Sequence, residues 1–260
     1  FLNAVEISPT IKEKALNIIG KSTDVDEKIG KLFQFVAVNV RNINFAFGIG
    51  GYKTNKSEDV LKNGYGDWKD KSALFISLLN SVGIKAYPAL ANSNAIPIEK
   101  DIPTLKQFNM ILVAIPKKDN YIFLNPFSNN SLYGYFFNGR NTETLIVKDN
   151  GTEFVKATCN KESESISRTT IEINLKKNGA ISGKIYSNMC GLFDFVLRNN
   201  TKDLREKEKS IFFTHLINRL LEGAKSKNER LSDPRNIFKN MEISQEFSGT
   251  EFAIKQGNLF

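Results

Sequence analysis

The stretch NGYGDWKDKSALFISLLNSVG, Asn63 to Gly83, constrains the fold more than any other part of the chain. It leaves a glycine-punctuated loop and turns into the most apolar helix of the sequence, from about Asp67 to Val82, with Gly83 as its stop. Ala73, Leu74, Phe75 and Ile76 follow one another without a break, so they fall on every side of a helix. A helix that is apolar all round has to be buried, and the rest of the chain has to wrap it. A first turn of this kind often mounts a nucleophile. Here the position carries Trp68, whose indole cannot attack anything.

With 260 residues the chain is long enough to bury a sizeable core, as one large domain or two small ones. Twenty Phe against one Trp make Phe a main supplier of that core. The net charge of +8 is spread along the sequence, with no Lys/Arg block and no basic helix. That pattern argues for a solvated surface and against nucleic acid as a partner. No apolar run reaches the roughly 18 residues of a membrane helix. The first residue is Phe1, and no basic segment followed by an apolar one precedes the first helix. The chain is therefore expected to be a piece of something longer. Cys159 and Cys190 are too far apart for a C-x-x-C pair, and His215 is the sole histidine. A protein zinc site is not expected from such a set, nor is any other cofactor.

Element signals follow in order. Ser8 and Pro9 begin a helix that stops at Gly20. Asp24, with Glu27 three residues on, begins another, continued by Ile29, Leu32, Phe33, Val36 and Val40 at helical spacing. INFAFG suggests a short strand before the turn GIGGY, and SEDVLKNG a two-turn helix capped by Ser57 and ended by Gly64. After Gly83 the period changes to two. IKAYPALAN, FNMILVAIP and NYIFLNP read as strands, YGYFFNGRN as an aromatic loop, and ETLIVKDNGTEFVKA as a hairpin about Asn150-Gly151. A polar stretch at CNKESESIS marks a boundary. Beyond it come a hairpin about Asn178-Gly179, a helical stretch from Leu204 to Ala224, and a strand-like end. Helices and strands in separate blocks indicate an α+β class.

A thiol at a helix N-terminus gains thiolate character from the helix dipole. A histidine on a neighbouring strand can take its proton, and a carboxylate or amide on the next can orient that histidine. This chain resembles the transglutaminase-like family, in particular the bacterial kind whose core lies between β-rich domains. The matching segments are GIGGYKTNKSEDVLKNGYGDWKDKSALFISLLNSVGIKAYPALAN, QFNMILVAIP and YIFLNPF. The family pattern G-D-C-K-D-K meets Gly66-Asp67-Trp68-Lys69-Asp70-Lys71, F-N-H meets Phe108-Asn109-Met110, and L-D-P meets Leu124-Asn125-Pro126.

The resemblance implies a papain-like core with N-terminal helices packed on an antiparallel sheet over residues 1–157. It then implies a linker over 158–166 and a smaller β-rich domain over 167–260 with one helical segment. The family's chemistry is acyl transfer from glutamine, or amide hydrolysis, by a Cys-His-Asp triad. All three positions depart from it. Trp68 and Met110 supply neither nucleophile nor base, and Asn125 has no histidine to orient. The expectation is thus an inactive relative that binds or scaffolds in a larger, exported envelope protein. Its partner would be a peptide, a protein or a glycan. In one arrangement Trp68 and Met110 plug the old cleft. In the other the cleft persists, lined by Trp68, Asp67, Asp70, Met110, Asn109, Tyr52, Tyr133 and Tyr135. The alternative is a cysteine-independent hydrolase or acyl-transferase acting through other residues. The charges at Asp67, Lys69, Asp70 and Lys71 are either ordinary helix-start charges or a polar rim left around the cleft.

Overall fold

The computed structural model describes residues 1–43, 53–94, 96–118, 120–128, 132–136, 141–159 and 165–250. The chain divides into two compact units, Phe1–Lys161 and Glu162–Phe260. Helices and antiparallel sheets occur in both, so the class is α+β.

The first unit begins with helix α1, Pro9–Ile19, where the Ser8 hydroxyl accepts the Ile11 amide and Gly20 closes the far end. Helix α2, Val25–Gln34, starts the same way, with the Asp24 carboxylate accepting the Glu27 amide. The expected return bond from Glu27 is diverted, since Glu27 instead takes the Ser22 hydroxyl and the Lys31 ammonium. Beyond Gln34 the helix widens into a π-helical turn, Phe35–Asn39, whose Val36 and Ala37 are buried. Strand β1, Arg41–Asn42, follows. The strand expected at INFAFG and the turn at GIGGY lie almost wholly outside the described residues.

Helix α3 is Ser57–Asn63, with Gly64 in the left-handed conformation at its end. Its cap position is Lys56, not Ser57. The Ser57 hydroxyl instead donates to the Ala4 carbonyl at 2.8 Å and accepts from Ser77, a buried tertiary link that sequence spacing does not show. Strand β2, Tyr65–Gly66, pairs in parallel with β1. Helix α4, Trp68–Ser81, comes next, and every residue from Lys69 to Leu79 is buried. The all-round apolar pattern therefore means what physics requires: α1, α2 and α3 pack against α4 as does the sheet.

That sheet has five antiparallel strands: β3 (Tyr87–Ala91), β4 (Met110–Lys117), β5 (Asn120–Leu124), β6 (Glu143–Lys148) and β7 (Gly151–Lys156). Their order across the sheet is β5-β4-β3-β6-β7. The β6–β7 turn falls one residue earlier than expected. Lys148 pairs with Gly151, so Asp149 and Asn150 form the two-residue loop and Gly151 begins the strand. Along one face, Ala89, Ala91, Met110, Leu112, Ala114, Phe123 and Ile146 join Phe136 and Ala157 in one apolar cluster.

The second unit is a four-stranded antiparallel sheet in the order β10-β11-β9-β8. Its strands are β8 (Ser167–Leu175), β9 (Ile181–Met189), β10 (Lys225–Leu231) and β11 (Met241–Gly249). Two helices accompany it, α5 (Leu192–Thr201) and α6 (Glu206–Asn218), where one was expected. Phe213 and Ile217 of α6 and Leu197 of α5 join core clusters with Ile181, Ile185, Met241, Ile243 and Phe247 of the sheet. Helix α5 encloses a fully buried charge pair. Arg198 donates to both oxygens of Asp194, to the carbonyls of Pro234 and Asn236 at 2.8 and 3.0 Å, and to that of Lys239. Asp194 also accepts the Met241 amide at 2.6 Å. At Gly183 a side chain has no room, because a Cβ would lie 2.0 Å from the Glu172 carbonyl oxygen and 2.6 Å from the Phe247 ring.

Candidate functional site

The site is assembled at the start of α4. Asp67 is the cap residue, and its carboxylate accepts the amides of Lys69 at 2.8 Å and Asp70 at 3.1 Å. Asp70 reciprocates by accepting the Asp67 amide at 3.2 Å, which completes a capping box. The same Asp70 carboxylate reaches across to Asn55, taking its backbone amide at 2.8 Å and its side-chain amide at 3.0 Å. Gly66 lets this happen, since a Cβ there would meet the Asp70 Cβ at 2.8 Å. Lys69 turns back to pair with the Asp67 carboxylate, both side chains being almost fully buried.

Trp68 occupies the first helical position and is half-buried. Its ring lies under the Lys69 ammonium, 4.9 Å from the ring centre, a cation–π contact. Its carbonyl accepts the Ser72 hydroxyl at 2.8 Å, and the same hydroxyl lies 3.3 Å from the carbonyl of Ile111 on β4. Ser72 thus brings the first turn of α4 to the start of β4, next to Met110.

Met110 is buried and pairs with Ala91 across β3 and β4. Its side chain belongs to the apolar cluster on the sheet face with Leu112, Phe136 and Ala157. The half-buried residues packed on that cluster are Tyr87, Tyr121, Val155 and Cys159, none of them from α4. Met110 thus lies in the sheet cluster and Trp68 under Lys69. Asn125 follows β5, and its side-chain oxygen accepts the Phe127 amide at 3.1 Å, an Asx-type turn. Asn109 closes the neck of the preceding loop by accepting the Ser93 amide at 2.8 Å.

The remaining candidates divide. Tyr52 lies outside the described residues. The Tyr133 ring packs edge-on against Phe33 of α2, with centroids 6.4 Å apart, and Phe33 in turn packs on Phe75 of α4. Burial, with the carboxylates of Asp26 and Asp24 adding to it, pushes the Tyr133 hydroxyl well above the usual phenol range. Tyr135 is buried and Phe136 lies in the sheet cluster. Phe137 lies outside the described residues. Cys159 packs on the same cluster, and its thiol donates to the Phe136 carbonyl at 3.4 Å.

Three residues tie the site together: Lys71, one of the four charges already named, and Asn42 and Asn55, which the sequence did not single out. Lys71, fully buried, donates to the carbonyls of Ala37 at 3.1 Å and Val40 at 2.8 Å and to the Asn42 side-chain oxygen at 2.5 Å. Asn42 passes the connection on, donating through Nδ2 to the Phe127 carbonyl at 2.8 Å. The Phe127 amide then donates to Asn125. A continuous chain of hydrogen bonds thus runs from the helix bearing Trp68 to the turn bearing Asn125. Asn55 is the third, through Asp70. Of the two readings of the four charges, helix-start charges describes the acidic pair, since Asp67 caps α4 and Asp70 completes the box in its first turn, but all four side chains are buried and bonded where a helix start is ordinarily solvated. The one signal in the sequence was the crowding of four charges into the mouth of an otherwise apolar helix.

Chemically, the first position of α4 carries an indole, which is neither a nucleophile nor a base. Burial without a compensating anion depresses the Lys71 ammonium to about 7. Its three donors are all taken up in holding the end of the π turn and β1.

No protein-family model matches this sequence, and no curated protein matches it. Among solved structures, the chain is similar to a "putative protease" from Parabacteroides distasonis ATCC 8503, with a TM-score of 0.47 and 11% identity. The match covers 95% of this chain and 51% of that one, so this chain spans about half its length. Among the described residues no helix is long and apolar enough to cross a membrane.

Proposed function

We propose that the first unit is a catalytically inactive relative of the transglutaminase-like enzymes, and that the chain binds or scaffolds within a larger envelope protein. The observation that carries this is the contrast at Trp68. The cap at Asp67, the burial of α4 and the Ser72 link to β4 form a mount fit for a nucleophile, and the mount bears an indole. Met110, committed to an apolar cluster, offers no proton acceptor of useful strength. General acid–base help contributes about 10² to 10⁴-fold in such chemistry, and the covalent route needs the nucleophile besides.

The partner proposed is a peptide, protein or glycan of the cell envelope. That choice, and an exported location, rest on the family resemblance. The half-buried indole with a cation over its face is the surface such a partner would meet. Two measurements test the proposal. Incubation with glutamine- and lysine-bearing peptides and with model amides is expected to give no turnover above buffer, and clear turnover sinks it. Replacement of Trp68 by Ala is expected to weaken binding of an envelope-derived ligand, measured by titration calorimetry. An unchanged affinity removes Trp68 from the binding surface.

A further inference from the structure

Strand β8 is an outer strand of the second unit's sheet, and all nine of its residues are exposed. Proteins usually blunt such an edge with a proline, a bulge, a short strand or inward charges. β8 has none of these. It runs from Ser167 to Leu175 without Pro or Gly and keeps unbroken register with β9. By contrast β10, at the opposite edge, is broken by a register shift between Lys227 and Arg230.

The orientation of the free backbone groups is fixed by bonds just beyond each end of the strand. The Cys190 amide donates to the Ile166 carbonyl, and the Lys176 amide to the Ala180 carbonyl. In an antiparallel ladder alternate residues face the same neighbour. The even-numbered residues of β8 therefore turn their backbone towards β9. Thr169, Ile171, Ile173 and the other odd-numbered residues turn their N–H and C=O groups away from β9, to an edge along which no strand pairs among the described residues. Those same residues carry the apolar row of Ile171, Ile173 and Leu175, which are 43%, 53% and 47% exposed.

We propose that β8 pairs with β8 of a second copy of this chain, antiparallel about a two-fold axis at Thr170, joining two four-stranded sheets into one. Charge selects the register. Strand partners on one face must be separated by an even number of residues, so few registers are available. With the axis at Thr170, Arg168 faces Glu172 of the second copy twice over. Moving the axis to Ile171 sets Arg168 against Asn174 and leaves no ion pair. Moving it to Glu172 sets Glu172 against itself and Arg168 against Lys176. Of these three registers only the first has opposite charges facing, and it keeps more of the strand paired than an axis at Asn174, which would set Glu172 against Lys176 beyond the strand end; it also sets the two Ile171 side chains diagonally across the axis. In it Thr169 and Ile171 of opposite copies exchange backbone hydrogen bonds through the groups turned away from β9. A contact of this length falls short of the roughly 1,200 Å² of a standard interface, so the dimer is weak and concentration-dependent. The proposal concerns the second unit and is independent of the function assigned to the first.

Sedimentation velocity of the full chain, over concentrations on the order of 10 μM to 1 mM, tests it. The expected mass rises from 29.3 kDa towards twice that value. Arg168→Glu and Glu172→Arg each set like charges face to face and are expected to weaken association at least fivefold. The double variant, with the charges exchanged, is expected to restore it. Both side chains are exposed, and thermal unfolding of each variant checks that the fold is kept. A chain that stays monomeric throughout overturns the proposal. So does a dimer indifferent to the single reversals, or a double variant that fails to recover.

Discussion

The ammonium of Lys71, in the heart of the first unit, lies 2.5 Å from the side-chain oxygen of Asn42. A buried cation is normally paired with an anion. Here it is held by neutral oxygens, of which two are carbonyls near the end of the π turn. Replacement by Met keeps the bulk and abandons three acceptors, at an expected cost of about 3 kcal/mol in urea unfolding.

The same residue makes stability depend on pH. Unfolded, Lys71 holds its proton to about 10.5; folded, burial lowers that to about 7. Between those values the unfolded chain binds more protons, so this group makes stability rise with pH. Its penalty is fully present below pH 7 and has gone above about 10.5. The stability difference between the wild type and Lys71→Met is therefore expected to grow between pH 7 and 9, by at most about 1.4 kcal/mol per pH unit. A difference independent of pH contradicts the depressed ionisation.

Trp68 is the sole tryptophan, so fluorescence reports on the site alone. Half-buried beneath Lys69, it is expected to be quenched by acrylamide less than in the urea-unfolded chain, though not protected completely. Full protection means a sealed plug, and quenching equal to the unfolded chain means an indole free in water. Either result contradicts the arrangement described.

Asp70 holds two segments at once, the cap of α4 and the backbone at Asn55. Substitution by Ala is expected to destabilise by about 2 kcal/mol, since it removes a capping partner and leaves donors unsatisfied. Hydrogen exchange is the more specific readout. The amides of Asn55 and Asp67 should exchange faster while those in the middle of α4 keep their protection.

In the second unit, Asp194→Ala strands a fully buried guanidinium. The expected loss is about 3–5 kcal/mol, read as early unfolding of this unit in a denaturant titration. Replacing Asp194 and Arg198 together by apolar residues is expected to cost less than Asp194→Ala alone, because no uncompensated charge then remains.

Gly183→Ala is expected to cost about 3 kcal/mol or more, because the added methyl meets a backbone carbonyl that cannot move without parting β8 from β9. Thermal unfolding measures it, and a neutral outcome contradicts the close approach at this point.

Local chemistry was legible in the sequence wherever the cause was local. Ser8 and Pro9 set the start of α1, and Asp67 and Gly83 bracket α4, because caps and stops act within a few residues. The five-stranded sheet followed from period two. Helix α5 was missed because it is short, ends in Asn-Asn-Thr, and is built around an ion pair whose carbonyl partners lie over thirty residues away. Ser57 misled for a related reason. Its hydroxyl suits a cap equally well, and only the fold shows Ala4 within reach. At the site, Trp68, Met110 and Asn125 were singled out by the family resemblance, and the structure brings the first turn of α4, which bears Trp68, to the start of β4, which bears Met110. The burial of Lys71 was not legible in the sequence, since a lysine in a first turn is ordinarily solvated.

The π turn at Phe35–Asn39 carries one more residue per hydrogen-bonded loop than the helix it extends. It therefore acts as a phase shifter. The chain leaves it rotated by about 100° from where an unbroken α-helix would have aimed it. That offset points the carbonyls of Ala37 and Val40 at one ammonium and delivers Asn42 beside them. Deleting a single residue within the turn would leave a better-formed helix and aim those oxygens elsewhere. The irregularity thus lies where the chain between α2 and β1 is tied to the first turn of α4 through a single ammonium.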